Sequence, residues 1–389
     1  METQSVRRML APFFIANGLI YGLNALYFSF IPQYLRNIAG KTESEIGGLL
    51  SIGPLVGIVS MIVFGIAADK AKAKNNVLIL IIAVSAAVFC MINISNAYIY
   101  LMAAFAGLLF FMSPFGGLLD AISLEFTTAA GFKYGPMRIM GSLAFGMFSL
   151  LFSLILSIFG EHVDVRIIFP AFVLVAAGAI ISVRKMPQVK GHARGKVKVS
   201  YRDFFKDKMC VTLLIFMFVA HFGFGCYVGF MQNFLDDMGE PPWVWGLVVF
   251  LTIVFELFFF WKFEYFFKRF TLRQIVIFST LTQVLRYASF AFFQSAAMVL
   301  LTSLLTGSFA TIINYAAAYY INRTVSNETR AYGLTIMYSV SFFIPRFLAG
   351  ILGGFIVQNY GFILLMQICA GINVLLILSS KLLTFREPE

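Results

Sequence analysis

Charged side chains are scarce in this chain. Asp, Glu, Lys and Arg make up 12% of its 389 residues, hydrophobic residues make up 60%, and the mean hydropathy is +0.88. Soluble globular domains are about one quarter charged and about half apolar. This composition excludes an ordinary soluble domain and predicts several membrane-spanning helices. The 46 Phe and 16 Tyr favour the same interpretation, because they suit a surface that faces lipid.

Cysteine and histidine are also few, with four Cys and three His. The cysteines lie in or beside apolar segments without the spacing of a metal site, so we expect small apolar residues in the reduced state. The sequence contains no nucleotide-binding fingerprint, which argues against a process driven by ATP. No cluster of nucleophile, metal ligands or acid and base marks an enzyme site. We therefore expect no metal, no cofactor and no enzymatic activity.

Long apolar segments account for most of the sequence, and a bilayer needs about 20 such residues per helix. The longest hydrophilic stretch, 184–208, divides the apolar segments into six and six. We predict an all-α membrane protein with twelve transmembrane helices, a six-helix bundle in 1–183, a basic cytoplasmic linker in 184–208 and a six-helix bundle in 209–389. The predicted spans lie near 10–34, 44–67, 76–94, 98–127, 136–159, 164–183, 209–235, 243–261, 272–293, 296–321, 331–357 and 361–384.

The net charge of +11 follows the order of the predicted loops. With twelve spans, alternate loops lie on opposite sides of the membrane, and Lys and Arg collect on one side while most acids collect on the other. Basic loops are typically cytoplasmic, so both termini and the linker are expected in the cytoplasm. The positive charge is explained by topology, and we expect no nucleic-acid partner.

The segment GIAADKAKAK, 65–74, follows the second predicted span. It resembles the cytoplasmic signature of the major facilitator superfamily, with Gly65, Asp69 and Lys70 at matching positions and Ala71 where a Gly is usual. The resemblance implies a gating role, in which the Asp caps a neighbouring helix end and holds one conformation. The alternative is a solvated loop whose charges serve only topology.

A second resemblance covers Asp120 and the segment KYGPMRIMGSLAF. It is similar to the fourth and fifth helices of the proton-coupled permeases of this superfamily, the group of the lactose permease, the nucleoside symporters and the phenylpropionate-type permeases. The resemblance implies that Asp120 and Arg138 bind the solute and that Phe145 lies where an aromatic ring would stack on a sugar. Both charged residues are nine positions from Ala129, so a helical hairpin would place them at equal depth, about 13 Å from its tip. The alternative is a structural ion pair.

The C-terminal half repeats this pattern in FELFFFWKFEYFFKRF and LTQVLRYASF. These segments resemble the eighth and ninth helices of the same permeases, which implies solute-binding roles for Glu256 and Arg286. Glu256 lies in an almost wholly apolar run and is the first candidate for proton coupling, with Asp120 as the second. The His and Glu of the tenth helix of the lactose permease have no counterpart, since Thr306 stands where the His would be.

Arg346 follows Pro345 near the middle of the eleventh predicted span. A buried arginine needs an anion, which we expect to be Glu256, Asp120 or a carboxylate on the solute. The alternative is a guanidinium that binds backbone carbonyls released by the proline kink.

Together these patterns predict a secondary active transporter that imports a small polar organic solute with protons by alternating access. A sugar or oligosaccharide is the first expectation, with a nucleoside or an aromatic acid as the alternative and a drug exporter of the same fold less favoured. A nutrient receptor or a membrane enzyme fits less well. The resemblance also implies a bacterial cytoplasmic membrane, membrane lipids as neighbours, a proton gradient in place of any cofactor, and a single chain as the transport unit.

Overall fold

The computed structural model describes residues 3–160, 162–191, 205–324, 337, 339–381 and 385. All regular structure in these residues is helical. The α-helices are α1 (Thr3–Asn37), α2 (Glu43–Lys70), α3 (Lys74–Met91), α4 (Tyr98–Met112), α5 (Phe115–Ala130), α6 (Gly135–Ile158), α7 (Ile168–Lys185), α8 (Lys208–Asp237), α9 (Trp243–Arg269), α10 (Leu272–Phe292), α11 (Ala296–Thr324), α12 (Ile344–Tyr360) and α13 (Phe362–Ser379).

Eleven helical segments in the described part of the chain are long and apolar enough to cross a membrane. They correspond to eleven of the predicted spans, and the chain is therefore a multi-pass, all-α membrane protein. The remaining predicted span, 296–321, falls in α11. The apolar stretch of this helix in the described part of the chain is Ala296–Thr306, which is shorter than a membrane span. The total of twelve spans and the cytoplasmic position of both termini stay predictions.

The predicted span 98–127 is formed by two helices, because the chain breaks between α4 and α5. Pro114 has no backbone N–H to continue the helical hydrogen bonds. The carbonyl of Phe110, four positions earlier, accepts a hydrogen bond from the Ser60 hydroxyl instead. A polar side chain thus satisfies a backbone group next to the break.

The chain folds into two compact units. Unit 1 comprises 1–41, 55–195 and 241–250, and unit 2 comprises 42–54, 196–240 and 251–389. Unit 1 is mostly N-terminal but includes 241–250 from the C-terminal half, and unit 2 is mostly C-terminal but includes 42–54 from the N-terminal half. Residues 192–204 of the predicted linker lie outside the described residues.

In unit 1, α6 and α7 pack along α1, and α5 packs on α3 and α1. The predicted hairpin of α5 and α6 is therefore not the main contact of either helix. Small residues explain why α6 prefers α1. A Cβ added at Gly22 would lie 3.0 Å from the ring of Phe148, and the hydroxyls of Ser29 and Ser149 are 2.8 Å apart.

In unit 2, α8 packs on α12, and α10 packs between α11 and α13. Asp207 caps α8 by accepting hydrogen bonds from the backbone N–H groups of Met209 and Cys210, as expected at a helix N-terminus. The first part of α2 also belongs to this unit. It lies so close to α12 that a Cβ at Gly47 would be 2.1 Å from the carbonyl oxygen of Gly350.

Candidate functional site

Asp120 lies half-buried on α5 in unit 1. Its carboxylate accepts a hydrogen bond of 2.5 Å from the hydroxyl of Tyr134. Tyr134 directly precedes α6, where the chain has turned through Gly131 at a φ of 73°. Asp120 forms no ion pair with Arg138 in the structure as described. Unit 1 thus presents an acid that already has one donor.

Arg138 lies on α6, with its guanidinium carbon 4.6 Å from the centre of the Tyr21 ring. Gly141 makes this contact possible one turn further along α6, because a Cβ there would lie 2.6 Å from the Tyr21 ring. Phe145 is half-buried and shares the helix face of Arg138, seven positions away. An arginine on an aromatic ring, with a second aromatic along the same face, can bind a polar solute that also has an apolar surface.

Arg286 lies on α10 in unit 2 and is completely buried. Its guanidinium carbon is 3.4 Å from the centre of the Tyr227 ring. None of its three side-chain nitrogens has a hydrogen-bond acceptor among the described residues. The amide of Gln283, one turn earlier, is buried and unsatisfied in the same way. Because an unneutralised buried cation is costly, this cluster requires an anion or another acceptor.

Arg346 lies at the start of α12, directly after a π-helical turn at Ser339–Phe343. Its guanidinium carbon is 4.1 Å from the ring of Phe342 and 5.3 Å from that of Phe224. The Nε of Arg346 is buried and has no hydrogen-bond acceptor among the described residues. The side chain rests on aromatic faces instead.

His221 lies beside this arginine. Its Nδ1 is 2.8 Å from the carbonyl of Met217, and its ring is 5.3 Å from that of Phe342 in an edge arrangement. Glu256 is half-buried on α9. The coupling role of Glu256 stays a prediction.

The predicted gating motif lies at the C-terminal end of α2. Asp69 is half-buried, Lys70 is exposed, and Gly65 has open space where a side chain would be. Further along the loop, Lys74 forms an ion pair of 2.7 Å with Glu125 of α5. The motif therefore adjoins a fixed ion pair of unit 1, and its gating role stays a prediction.

A short segment after α7, 187–191, is attached to the α2–α3 loop. The backbone N–H of Gly191 donates to the carbonyl of Ala71, and that of Lys74 donates to the carbonyl of Val189. The Asn75 side chain donates to Pro187 and accepts from Val189. A Cβ at Gly191 would lie 2.3 Å from the carbonyl oxygen of Asp69, so only glycine fits at this position without rearrangement.

Sequence reasoning found the charged residues but missed the side chains next to them. Tyr134 was within reach, because it lies four positions before Arg138 in the same segment. Phe342 likewise lies four positions before Arg346. Tyr21, Phe224 and Tyr227 come from helices distant in sequence, and Gly141, where a Cβ would meet the Tyr21 ring, is a local signal for the first of them. The missed aromatic side chains are Tyr21, Tyr134, Phe224, Tyr227 and Phe342.

Residues 17–368 match the model of the MFS_1 like family. The chain belongs to this family. The resemblance to the major facilitator superfamily is thereby confirmed. The chain is 21% identical to the maltose permease of Geobacillus stearothermophilus over 391 aligned residues, which cover 99% of this chain and 98% of the relative. It is 24% identical to the "Probable 3-phenylpropionic acid transporter" of Escherichia coli strain K12 over 340 residues, covering 84% and 85%.

A solved structure has the same fold as this family member. The crystal structure of the nucleoside transporter NupG superposes with a TM-score of 0.83 at 18% identity, covering 96% of this chain and 98% of that chain. At this identity the likeness establishes the major facilitator fold alone. The three similar proteins carry the names of transporters for a disaccharide, an aryl acid and nucleosides.

Proposed function

We propose that this chain is a secondary active transporter that takes up a small polar organic solute together with protons across a bacterial cytoplasmic membrane. The observation that carries this proposal is the buried guanidinium of Arg286, which has no protein acceptor among the described residues. A membrane protein retains such a charge where a solute or an ion neutralises it. Solute binding then removes an energetic penalty, and this differential affinity can bias the exchange between two conformations.

A sugar or oligosaccharide is the first candidate solute. The alignment with the maltose permease spans nearly the whole chain, which supports this choice. The Tyr134 hydroxyl donates its proton to the Asp120 carboxylate, so the pair offers oxygen acceptors for sugar hydroxyls. Arg138 and Phe145 add a donor and an aromatic ring on α6.

A carboxylate-bearing aromatic solute is the second candidate. Arg346 rests on the rings of Phe342 and Phe224 without an acid partner among the residues described. A cation lined by aromatic rings suits a ligand that combines an anion with an apolar ring. The similarity to the relative named for 3-phenylpropionic acid supports the same choice.

Glu256 is the proposed proton-coupling acid. It is half-buried in a helix that is otherwise almost wholly aromatic and aliphatic near this point. A carboxyl group there can be neutral when it is desolvated and ionised when water or a cation approaches. Asp120 is the second candidate for the same role.

Uptake into proteoliposomes tests the proposal. The purified chain should accumulate a radiolabelled solute when the pH is lower outside, and accumulation should collapse when a protonophore removes the gradient. Glu256→Gln should abolish accumulation but retain downhill exchange, whereas Glu240→Gln, which changes an acid outside the helices, should leave uptake unchanged. Uptake that ignores both the gradient and Glu256→Gln would contradict proton coupling.

A thermal-shift panel chooses between the solute classes. Maltose, inosine and 3-phenylpropionate should be compared with 3-phenylpropionamide, the neutral isostere of the acid. Stabilisation by maltose that Asp120→Asn removes supports the sugar. Stabilisation by the acid but not its amide, removed by Arg346→Gln, supports the arylcarboxylate. Drug efflux against the gradient, with none of these ligands bound, would favour an exporter.

A further inference from the structure

Unit 2 contains an apolar groove at the basic end of α9. A cavity of about 280 Å³ is lined by side chains of α9, α10 and α11. Of the eight lining residues, five are phenylalanines, two are isoleucines and one is a glutamine. The lining residues are Phe259, Phe266, Phe267, Phe270, Gln274, Ile275, Phe278 and Ile312.

The rings of the groove are ordered by contacts with each other. Phe266 packs against Phe259 and stacks on Phe270, with ring centres 5.8 and 6.2 Å apart. Phe267 packs on Tyr319 at 5.0 Å. Phe270 and Phe278 nevertheless remain 42% and 46% exposed. In a protein whose helices cross a bilayer, rings exposed at this level contact hydrocarbon.

Basic residues adjoin the lining residues in sequence at the same end of α9. The segment FFKRFTLR, 266–273, contains three bases and no acid. Lys268 and Arg269 end α9, and Arg273 lies in the first turn of α10. Among the described residues, Arg269 forms no ion pair, and its side chain donates a hydrogen bond of 2.9 Å to the hydroxyl of Tyr265. Basic residues next to an apolar groove match the charged headgroup and the acyl chains of an anionic phospholipid.

We propose that this groove binds one acyl chain of an anionic phospholipid while Lys268, Arg269 and Arg273 hold its phosphate-bearing headgroup. Basic residues next to membrane-spanning helices attract anionic lipids near the membrane surface. The acyl chain gains contact with the Phe rings, and the headgroup chemistry selects phosphatidylglycerol over the zwitterionic phosphatidylcholine. The lining residues of the groove do not include Arg286 or Glu256.

Native mass spectrometry of the purified full-length protein in detergent tests this site. Dioleoylphosphatidylglycerol should bind at lower concentration than dioleoylphosphatidylcholine. The double variant Lys268→Gln/Arg269→Gln should weaken phosphatidylglycerol binding roughly tenfold or more, as expected for two surface cations. The variant Arg184→Gln/Lys185→Gln, which removes two exposed charges from the end of α7 in unit 1, should leave this affinity unchanged.

A groove variant separates the acyl-chain contact from the charge. Phe278→Ser should weaken binding of both lipids, whereas the charge variant should weaken only the anionic one. Thermal unfolding without added lipid checks that each variant is folded. Equal affinity for both lipids, or an equal loss in both charge variants, would overturn the proposal. So would displacement of phosphatidylglycerol by maltose or 3-phenylpropionate, since the groove would then bind solute.

Discussion

The two units treat their ionisable side chains differently. In unit 1, Lys74 pairs with Glu125 at 2.7 Å and Asp120 accepts from Tyr134 at 2.5 Å. In unit 2, Asp207 accepts from backbone N–H groups, but the guanidinium groups of Arg286 and Arg346 lie on aromatic rings. A charge that has a protein partner stabilises the architecture, whereas a buried charge without one requires a ligand. We therefore predict that Arg286 and Arg346 bind an anion, whereas the Lys74–Glu125 pair serves the structure.

Replacing Arg286 with methionine would break this comparison most sharply. No described acid loses a partner, so Arg286→Met should leave the melting temperature unchanged or raised. Uptake should fall roughly a hundredfold, because truncating one side of a buried charge contact costs about 2–5 kcal/mol. Proteoliposome uptake and thermal unfolding measure the two effects, with exposed Arg184→Met as the control. A large loss of stability with uptake retained in the folded fraction would instead make Arg286 structural.

Gly141→Ala tests whether the close packing of unit 1 positions Arg138. The new Cβ would lie 2.6 Å from the Tyr21 ring, and such overpacking costs about 1–3 kcal/mol. We expect a lower unfolding free energy in denaturant, and a smaller penalty when Gly141→Ala is made in a Tyr21→Ala background. Gly117→Ala, where a Cβ meets nothing within 4 Å, should be neutral or slightly stabilising. Equal losses in both alanine variants would refute the contact.

The Lys74–Glu125 ion pair is the example of charges that have a protein partner. Its side chains are 11% and 35% exposed, so a double-mutant cycle of Lys74→Met and Glu125→Gln should give a coupling of about 1 kcal/mol. Uptake should change only as far as the folded fraction changes. A coupling near zero in unfolding experiments would place this pair with ordinary surface charges.

The smallest effect is expected at Asp164, in the loop before α7. The Arg166 side chain donates to its carboxylate, and this hydrogen bond holds the pKa of Asp164 below its usual range. A depressed carboxyl pKa stabilises the fold above the pKa of the unfolded chain, and this contribution is lost as the pH falls through the folded value. Both side chains are well exposed, which weakens the effect.

Asp164→Asn should therefore lower the melting temperature slightly at neutral pH and have no effect in acid. A pH series of thermal unfolding curves for the variant and the parent measures this difference. A penalty that persists below the folded pKa would assign it to the backbone hydrogen bond that Asp164 accepts from Arg166.

The spans could be predicted from sequence because each depends on a local run of apolar residues. Eleven of them were confirmed, while the break at Ser113–Pro114 was missed inside a continuous apolar stretch. Asp120, Arg138, Glu256, Arg286 and Arg346 were conspicuous for the opposite reason, as charges within such runs. Their neighbours depend on which helices pack together, and periodicity cannot orient a helix that is apolar on every side. The ring of Tyr21 under Arg138 could not be foreseen for this reason.

The attachment of 187–191 to the α2–α3 loop has a practical consequence for dividing the chain. Four hydrogen bonds hold this segment to unit 1, although it lies beyond the last residue of α7. Separate expression of the two halves should therefore use a cut after Gly191. A cut before Pro187 would remove the hydrogen-bond partners of the Asn75 side chain and the Lys74 N–H, so the N-terminal fragment is expected to be less stable.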